Sequence, residues 1–235
     1  MNNTVPIIII VAIIVTTVII FRNFIKVWIF QAKKRQVYTH MIRKINTAME
    51  RIDVPCFLSS GTCLGFFREQ DFIKHDYDID IGIMQSDFTE DVLTEMENEG
   101  FELYRTLGTL STGVEYSFRL PGTKIGKAAK VDIFVHYNEI HNNKKHVYWT
   151  SYKTPLFTEQ IKYRVSDFNL KRVRFKGMYV NVPDPTLKYI QEHYGEKWMI
   201  PLTPADGYHY YSSPTSIVTP PPVSYTHLRA HETVL

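Results

Sequence analysis

Cysteine is scarce in this chain: Cys56 and Cys63 are the only two among 235 residues. Two thiols cannot build a disulfide framework, and their spacing is not that of a zinc site. Both read as small buried residues flanking a turn. No charge of one sign prevails. A net charge of +3 over this length does not point to nucleic acid, and none is expected as a partner. There is no internal repeat, which excludes solenoids and propellers. What the chain has in quantity is apolar and aromatic side chains, 44% and 14% of residues. That is ample for the packed core of one ordinary domain with appendages.

The longest uncharged run is Val5 to Phe21, rich in Ile and Val. It is at the short end for a transmembrane helix. A signal peptide is the rival, but no basic region precedes the run and no small-residue cleavage site follows it. Trp28 and Phe30, set among Arg22, Lys26 and Lys33 to Arg35, read as an interfacial continuation. A single-pass membrane anchor over residues 1–32 is therefore expected. The basic residues all follow the span, so the positive-inside rule would leave the rest of the chain in the cytoplasm.

The stretch that carries chemistry runs from Phe57 to Gly82. It joins a small-residue turn, Ser59-Ser60-Gly61-Thr62, to the alternating carboxylates Asp76, Asp78 and Asp80. In an extended strand, residues two apart share a face. The three acids would then crowd one face while Tyr77, Ile79 and Ile81 fill the other. Such crowding needs a cation, and Mg²⁺ or Mn²⁺ suits carboxylate oxygens. Acidic triplets in loops often bind nothing, but these acids alternate with β-branched residues of a probable core strand. The turn precedes a helix expected from Thr62 to Glu69, whose backbone N–H groups suit a phosphate.

These residues also resemble a known family. Gly61-Thr-Cys-Leu-Gly-x-x-Arg68, then Phe72-Ile73, then Asp76-x-Asp-Ile-Asp-Ile81, is similar to the signature of the LicD/fukutin phosphotransferases. The likeness covers about Lys34 to Pro201. It implies an α+β fold, a nucleotidyltransferase-like mixed β-sheet flanked by helices. It implies transfer of a phospho-alcohol, of ribitol-phosphate or phosphocholine type, from a CDP-linked donor to a glycan hydroxyl. Under that reading Asp76, Asp78 and Asp80 hold Mg²⁺ or Mn²⁺. Gly61, Thr62 and Arg68 bind phosphate, and Asp78, Asp80 and Asp132 are catalytic. Arg68 has a plainer reading as an ion-pair partner of Glu69 or Asp71. Asp132, alone among core residues in Val131-Asp-Ile-Phe-Val135, could equally be paired with a Lys or Arg. Two departures stand out: Lys74-His75 replaces the family's Pro-Trp pair, and Tyr77 interrupts its Asp-Asp-Asp opening. His75 reads as a plain loop residue. The resemblance also implies a Golgi enzyme with a lumenal domain, against the charge rule; bacterial relatives are cytoplasmic.

Around this stretch, Lys34 to Ile52 carries a helical stripe at Val37, Met41, Ile45, Ala48 or Met49, and Ile52. Val54 to Leu58 and Ile79 to Ile83 read as strands. Asp87 reads as the cap of a helix from Phe88 to Glu99, stopped by Gly100. Glu115 to Leu120 and Lys130 to Tyr137 are strands, and Phe157 to Tyr163 and Val173 to Val182 are edge strands. Lys171, Arg172, Arg174 and Lys176 read as a solvated hairpin face. Asp184-Pro185 opens a helix that Gly195 ends. His136, His141 and His146 are five apart, which aligns with neither a strand nor a helix face, and read as solvent-facing loop residues. The expected domain runs from 33 to 205. Residues 206–222, rich in Tyr, Ser and Pro, read as a structureless tail. Val223 to Thr233 looks like translated sequencing adapter, so 223–235 is set apart. Two other functions fit the same residues: a nucleotidyltransferase using an NTP, and a catalytically dead membrane-tethered scaffold.

Overall fold

The computed structural model describes residues 4–123, 129–153, 159–206 and 213–219. The expected α+β architecture is present: a mixed sheet with helices against it, and an apolar N-terminal helix long enough to cross a membrane. Helix α1 (Thr4–Arg51) is continuous and merges the two stretches that the sequence suggests separately. No Gly or Pro lies between Ile7 and Arg51 to interrupt it. Its side chains from Ile13 to Phe30 are exposed. From Lys34 onward a stripe of Tyr38, Met41, Ile42, Ile45, Ala48 and Met49 is buried in the core.

The remaining elements are β1 (Cys56–Leu58), α2 (Ser60–Glu69), β2 (Asp78–Met84), α3 (Asp91–Asn98), β3 (Glu102–Thr109), β4 (Gly113–Arg119), β5 (Lys130–His141), β6 (Lys144–Tyr152), β7 (Gln160–Ser166), β8 (Asn169–Phe175), β9 (Met178–Asp184), α4 (Thr186–Tyr194) and β10 (Ile217–Thr219). The sheet order is β10-β7-β6-β5-β2-β1-β9-β8, with the β3–β4 ribbon attached to β5. Strand β5 is the hinge of the topology. Its first half lies between parallel β2 and antiparallel β4, and its second half passes to β6. That double use explains the buried run from Val131 to Tyr137, because a strand covered on both faces cannot alternate.

Several expectations change. His136 is on β5 and fully buried, not a solvent-facing loop residue. Its Nδ1 lies 3.0 Å from the Phe134 carbonyl and its Nε2 3.4 Å from the Ser59 hydroxyl, while its ring stacks on Trp149. Burial pushes its pKa down to about 3, so the imidazole is neutral; with both nitrogens close to partners, its burial costs little. His141 is exposed as expected, and His146 is half-buried. Helix α3 starts at Asp91 rather than Phe88, because Asp87 and Phe88 both donate backbone N–H bonds to Met84 in a tight turn. Phe88 stacks instead on Tyr116. Strand β7 is not an edge, since β10 covers it, and β9 lies inside against β1; Phe157 falls outside the described residues. Strand β10 itself falls within the stretch read as a structureless tail. Strands β3 and β6 were not anticipated. Cys56 and Cys63 are buried and unpaired, as expected.

The two halves of α1 should respond oppositely to truncation. Ile45→Ala should lower stability by about 2–5 kcal/mol, the range for emptying a packed core site. Ile14→Ala should change it by less than about 0.5 kcal/mol. Denaturant titration in detergent checks both, and equal losses would contradict the division.

Candidate metal centre

Chain geometry brings the acids together from three directions. β1 ends in Ser59 and turns directly into α2, while β2 runs antiparallel to β1 and begins at the same end with Asp78 and Asp80. β5 starts alongside in parallel register, so Asp132 stands opposite Asp80. The carboxylate oxygens of Asp76, Asp78 and Asp80 lie within 4.8 Å of one another. Asp76 precedes the strand, yet its side chain still reaches the group. The exposed neighbour is Tyr77, which points to solvent instead of filling the opposite face.

The turn after β1 is built to hold Asp80. The Thr62 N–H donates to Asp80 Oδ2 at 3.3 Å, and the Asp80 N–H donates to Thr62 Oγ1 at 2.8 Å. The Gly61 N–H also bonds this carboxylate. Ser60 N–H donates to the Tyr189 hydroxyl at 3.0 Å, and that hydroxyl also meets Ser59 Oγ. The backbone donors expected to cradle phosphate are thus turned onto Asp80 and Tyr189. Gly61 has a second duty: a Cβ there would stand 2.6 Å from Asp76 Oδ2 and 3.0 Å from Asp80 Oδ2. Only glycine leaves the carboxylates their space.

Charge crowding dominates the site. Burial raises Asp76 to about 6, with Asp80 adding repulsion and Lys34 opposing it. Burial and then the neighbouring acids push Asp78 and Asp80 well above the carboxylate range. Among the described residues no ion pair reaches any of the three. An all-oxygen donor set of this density, half-buried at Asp76 and Asp78, buried at Asp80 and lacking an ion-pair partner among the described residues, fits a hard divalent cation.

Next to the triad is a second acidic pair that the sequence reading half missed. Glu115 on β4 is buried, accepts hydrogen bonds from Arg105 at 2.8 Å and Ser151 at 3.0 Å, and titrates high because of burial and then Asp132. Asp132 is raised by burial and by Asp78. Its Oδ1 is buried without a hydrogen bond, and its ion pair with Arg105 is long at 3.8 Å. The plainer reading of Asp132 is therefore only weakly met. The available signal for Glu115 was its spacing from Ser117, which places both on one strand face; Arg105 gave none, because β3 was unrecognised.

Arg68 makes the ion pair that its plainer reading anticipated, to Glu69 at 2.7 Å, and also donates to the Trp198 carbonyl at 3.0 Å. Its Nε is buried without a partner. Asp71, the other anticipated partner, binds Arg35 and Lys176 instead, both at 2.6 Å. Arg68, His75, the acids, Arg105 and Lys130 line one cavity of about 700 Å³. The same cavity is also lined by the aromatic rings of Trp149, Tyr152, Tyr163, His193, Tyr194 and Trp198.

Two outcomes test this arrangement. A cation must displace protons from the raised carboxyls, so Mn²⁺ affinity should climb as pH rises through 6, by about tenfold per pH unit for each proton displaced. Calorimetry at pH 5.5 and 7.5 measures it, and equal affinity would contradict the site. Gly61→Ala should weaken Mn²⁺ binding while thermal unfolding stays cooperative; unaltered binding would show that the added methyl does not meet the carboxylates.

The comparisons with known proteins fall on the same residues. The family model LicD/FKTN/FKRP, nucleotidyltransferase domain, matches residues 53–185. The ribitol-5-phosphate transferase FKTN of Macaca fascicularis is 33% identical over 155 residues, covering 66% of this chain and 31% of that protein. The Homo sapiens protein of the same name is 32% identical over the same length and coverage. The Mus musculus one is 28% identical over 196 residues, 83% of this chain and 39% of its own. The chain spans about a third of the length of these relatives. With turn, arginine and acids all inside the matched region, this chain belongs to the LicD/FKTN/FKRP family of nucleotidyltransferase-like domains.

Proposed function

We propose that the protein is a metal-dependent phosphotransferase that moves a phospho-alcohol, of ribitol-phosphate or phosphocholine type, from a CDP-linked donor to a glycan hydroxyl. The observation that carries this reading is the Asp76–Asp78–Asp80 group beside Asp132, whose only ion pair is the long one to Arg105, all lining one roomy cavity. The names of the FKTN relatives, ribitol-5-phosphate transferases, support the transferred class.

Asp76, Asp78 and Asp80 would hold Mg²⁺ or Mn²⁺, which when bound neutralises a diphosphate and eases departure of CMP. Thr62 and Gly61 keep Asp80 aimed at that point. Lys130, facing Asp78 across the strands, and the free Nε–H of Arg68 offer positive charge to donor phosphates. The aromatic wall offers flat faces on which a nucleobase can stack. Asp132 takes the acceptor hydroxyl's proton on Oδ1; its raised affinity for protons suits a general base. Arg105 and Glu115 hold it from behind. Catalysis then rests on positioning and charge compensation, with no covalent intermediate on the protein.

The exposed apolar part of α1 anchors the domain to a membrane as a single pass. The family likeness supports a Golgi membrane with the domain in the lumen; the basic residues after the span favour the alternative, the cytoplasmic face. Protease digestion of sealed microsomes tests this placement, and cleavage of the domain from outside would reverse it.

Asp78→Asn and Asp80→Asn should each abolish transfer with folding intact, since each removes a crowded charge. Arg68→Lys should weaken donor binding by about 1–3 kcal/mol, the range of a charge-assisted hydrogen bond. Mass spectrometry of products from a panel of CDP-alcohols reads out the first, calorimetry the second. Full turnover in either Asn variant would overturn the site. Release of pyrophosphate from an NTP, with no transfer from any CDP-alcohol, would make the enzyme a nucleotidyltransferase.

A further inference from the structure

We propose that the loop carrying Asp76 is held against the surface of the same bilayer that α1 crosses, so that the cavity opens at the headgroup layer. The inference rests on the anchor reading above and not on the chemistry of the site. The first observation is a clamp. Lys34, buried on α1, donates its ammonium to the carbonyls of Ile73, at 2.8 Å, Lys74, at 3.2 Å, and Asp76. One turn earlier, Gln31 donates to the Lys74 carbonyl at 3.2 Å. The loop that supplies the first carboxylate is therefore fastened to the first turn of α1 that packs on the domain.

The second observation is length along an unbroken helix. At about 1.5 Å per residue, some 20 residues cross the hydrocarbon core. Counted from Thr4 that reaches about Asn23. The next residues, Phe24, Ile25, Val27, Trp28, Ile29 and Phe30, are exposed and apolar on every side of the helix. They are joined only by Lys26, whose long stem can carry its charge outward. They cover about 10 Å, somewhat more than the roughly 5–7.5 Å of one headgroup layer. Gln31 and Lys34 then stand just outside that layer, and the clamped loop stands with them. With no glycine or proline between span and clamp, that height is fixed by the helix.

The third observation is what the loop presents. Tyr77 is 69% exposed, directly after Asp76. Ile200, which lines the same cavity as Asp76, is 53% exposed beside exposed Met199. Exposed Lys33, Arg35 and Lys74 surround the clamp. An aromatic tip within a basic surround is the composition of a membrane interface. A substrate reaching the acids from this side would be borne on the membrane.

Both native cysteines are buried, so single introduced cysteines can be spin-labelled in the full chain reconstituted into nanodiscs. Labels go at Ile14→Cys in the span, Tyr77→Cys in the loop and Asn142→Cys at the far end of β5, up to about 40 Å of strand from the site. Collision with oxygen against a water-soluble nickel chelate reports depth. The inference expects position 14 to read as lipid and 142 as water, with 77 between them and clearly above 142. If 14 reads as water, the anchor itself has failed. If 14 reads as lipid and 77 matches 142, the anchor stands and the docking of the loop is wrong. Neither result depends on turnover.

Discussion

Mutual repulsion among buried carboxylates is the constraint on which the rest of this structure depends. Two full charges within 4.8 Å repel by about 3 kcal/mol even at an effective dielectric of about 20. Three such groups, with Asp132 and Glu115 behind them, could not all stay ionised without help. The protein answers in two ways. Backbone donors from Gly61 and Thr62 are spent on Asp80, and Arg105 is spent on Glu115 and, at longer range, Asp132. Asp76 and Asp78 receive less, a backbone bond from Tyr77 and the nearby charge of Lys34 on Asp76, so both bind protons more readily than a free carboxylate. A site left so under-neutralised has room for charge from outside, which is the property a divalent ion and a phosphorylated donor require.

The fold can be understood as the scaffold that makes this crowding unavoidable. β2 must lie parallel to β5 for Asp80 to face Asp132, and that pairing needs the long crossover through α3 and the β3–β4 ribbon. The ribbon is not idle, since β4 brings Glu115 and β3 brings Arg105 to the back of the site. His136 and Tyr189 meet beneath the turn at Ser59, so the pedestal of that turn is aromatic and neutral. A charged residue in that position would add to a field already too negative.

What could be read from the sequence followed from local chemistry. Asp76, Asp78 and Asp80 announce themselves by alternation and sign, and the turn from Ser59 to Thr62 by its small residues. The helical stripe in Lys34 to Ile52 is periodic, and Met41, Ile45, Ala48 and Met49 are buried as it predicts, whereas Tyr38 and Ile42 join the buried face and Val37 and Ile52 lie at its edge. Features set by distant pairing were not. Glu115 matters only because β4 lies against β5, and Arg105 only because an unrecognised strand lies against β4. His136 looked like one of three evenly spaced histidines, and nothing local marks it as the one beneath the Ser59 turn. The roles of Gly61 and Thr62 were legible as to place but not as to partner: their donors face a carboxylate of their own chain, 18 residues on. Even the end of the anchor was obscured, because an unbroken helix gives no signal where lipid stops and protein begins.

That missing boundary has a physical consequence. A flexible linker between span and domain would let the cavity sample any orientation, whereas a continuous helix transmits its tilt and rotation directly to whatever is bound to it. Lys34 is what is bound. Its ammonium lies beneath Asp76 without forming an ion pair to the carboxylate, offsetting part of the cluster's charge while its hydrogen bonds go to the loop backbone. Under the membrane docking proposed above, the same side chain links two constraints of different origin: the height of the domain above the bilayer, set by hydrophobic thickness, and the position of the first acid, set by electrostatics. Neither can shift without disturbing the other.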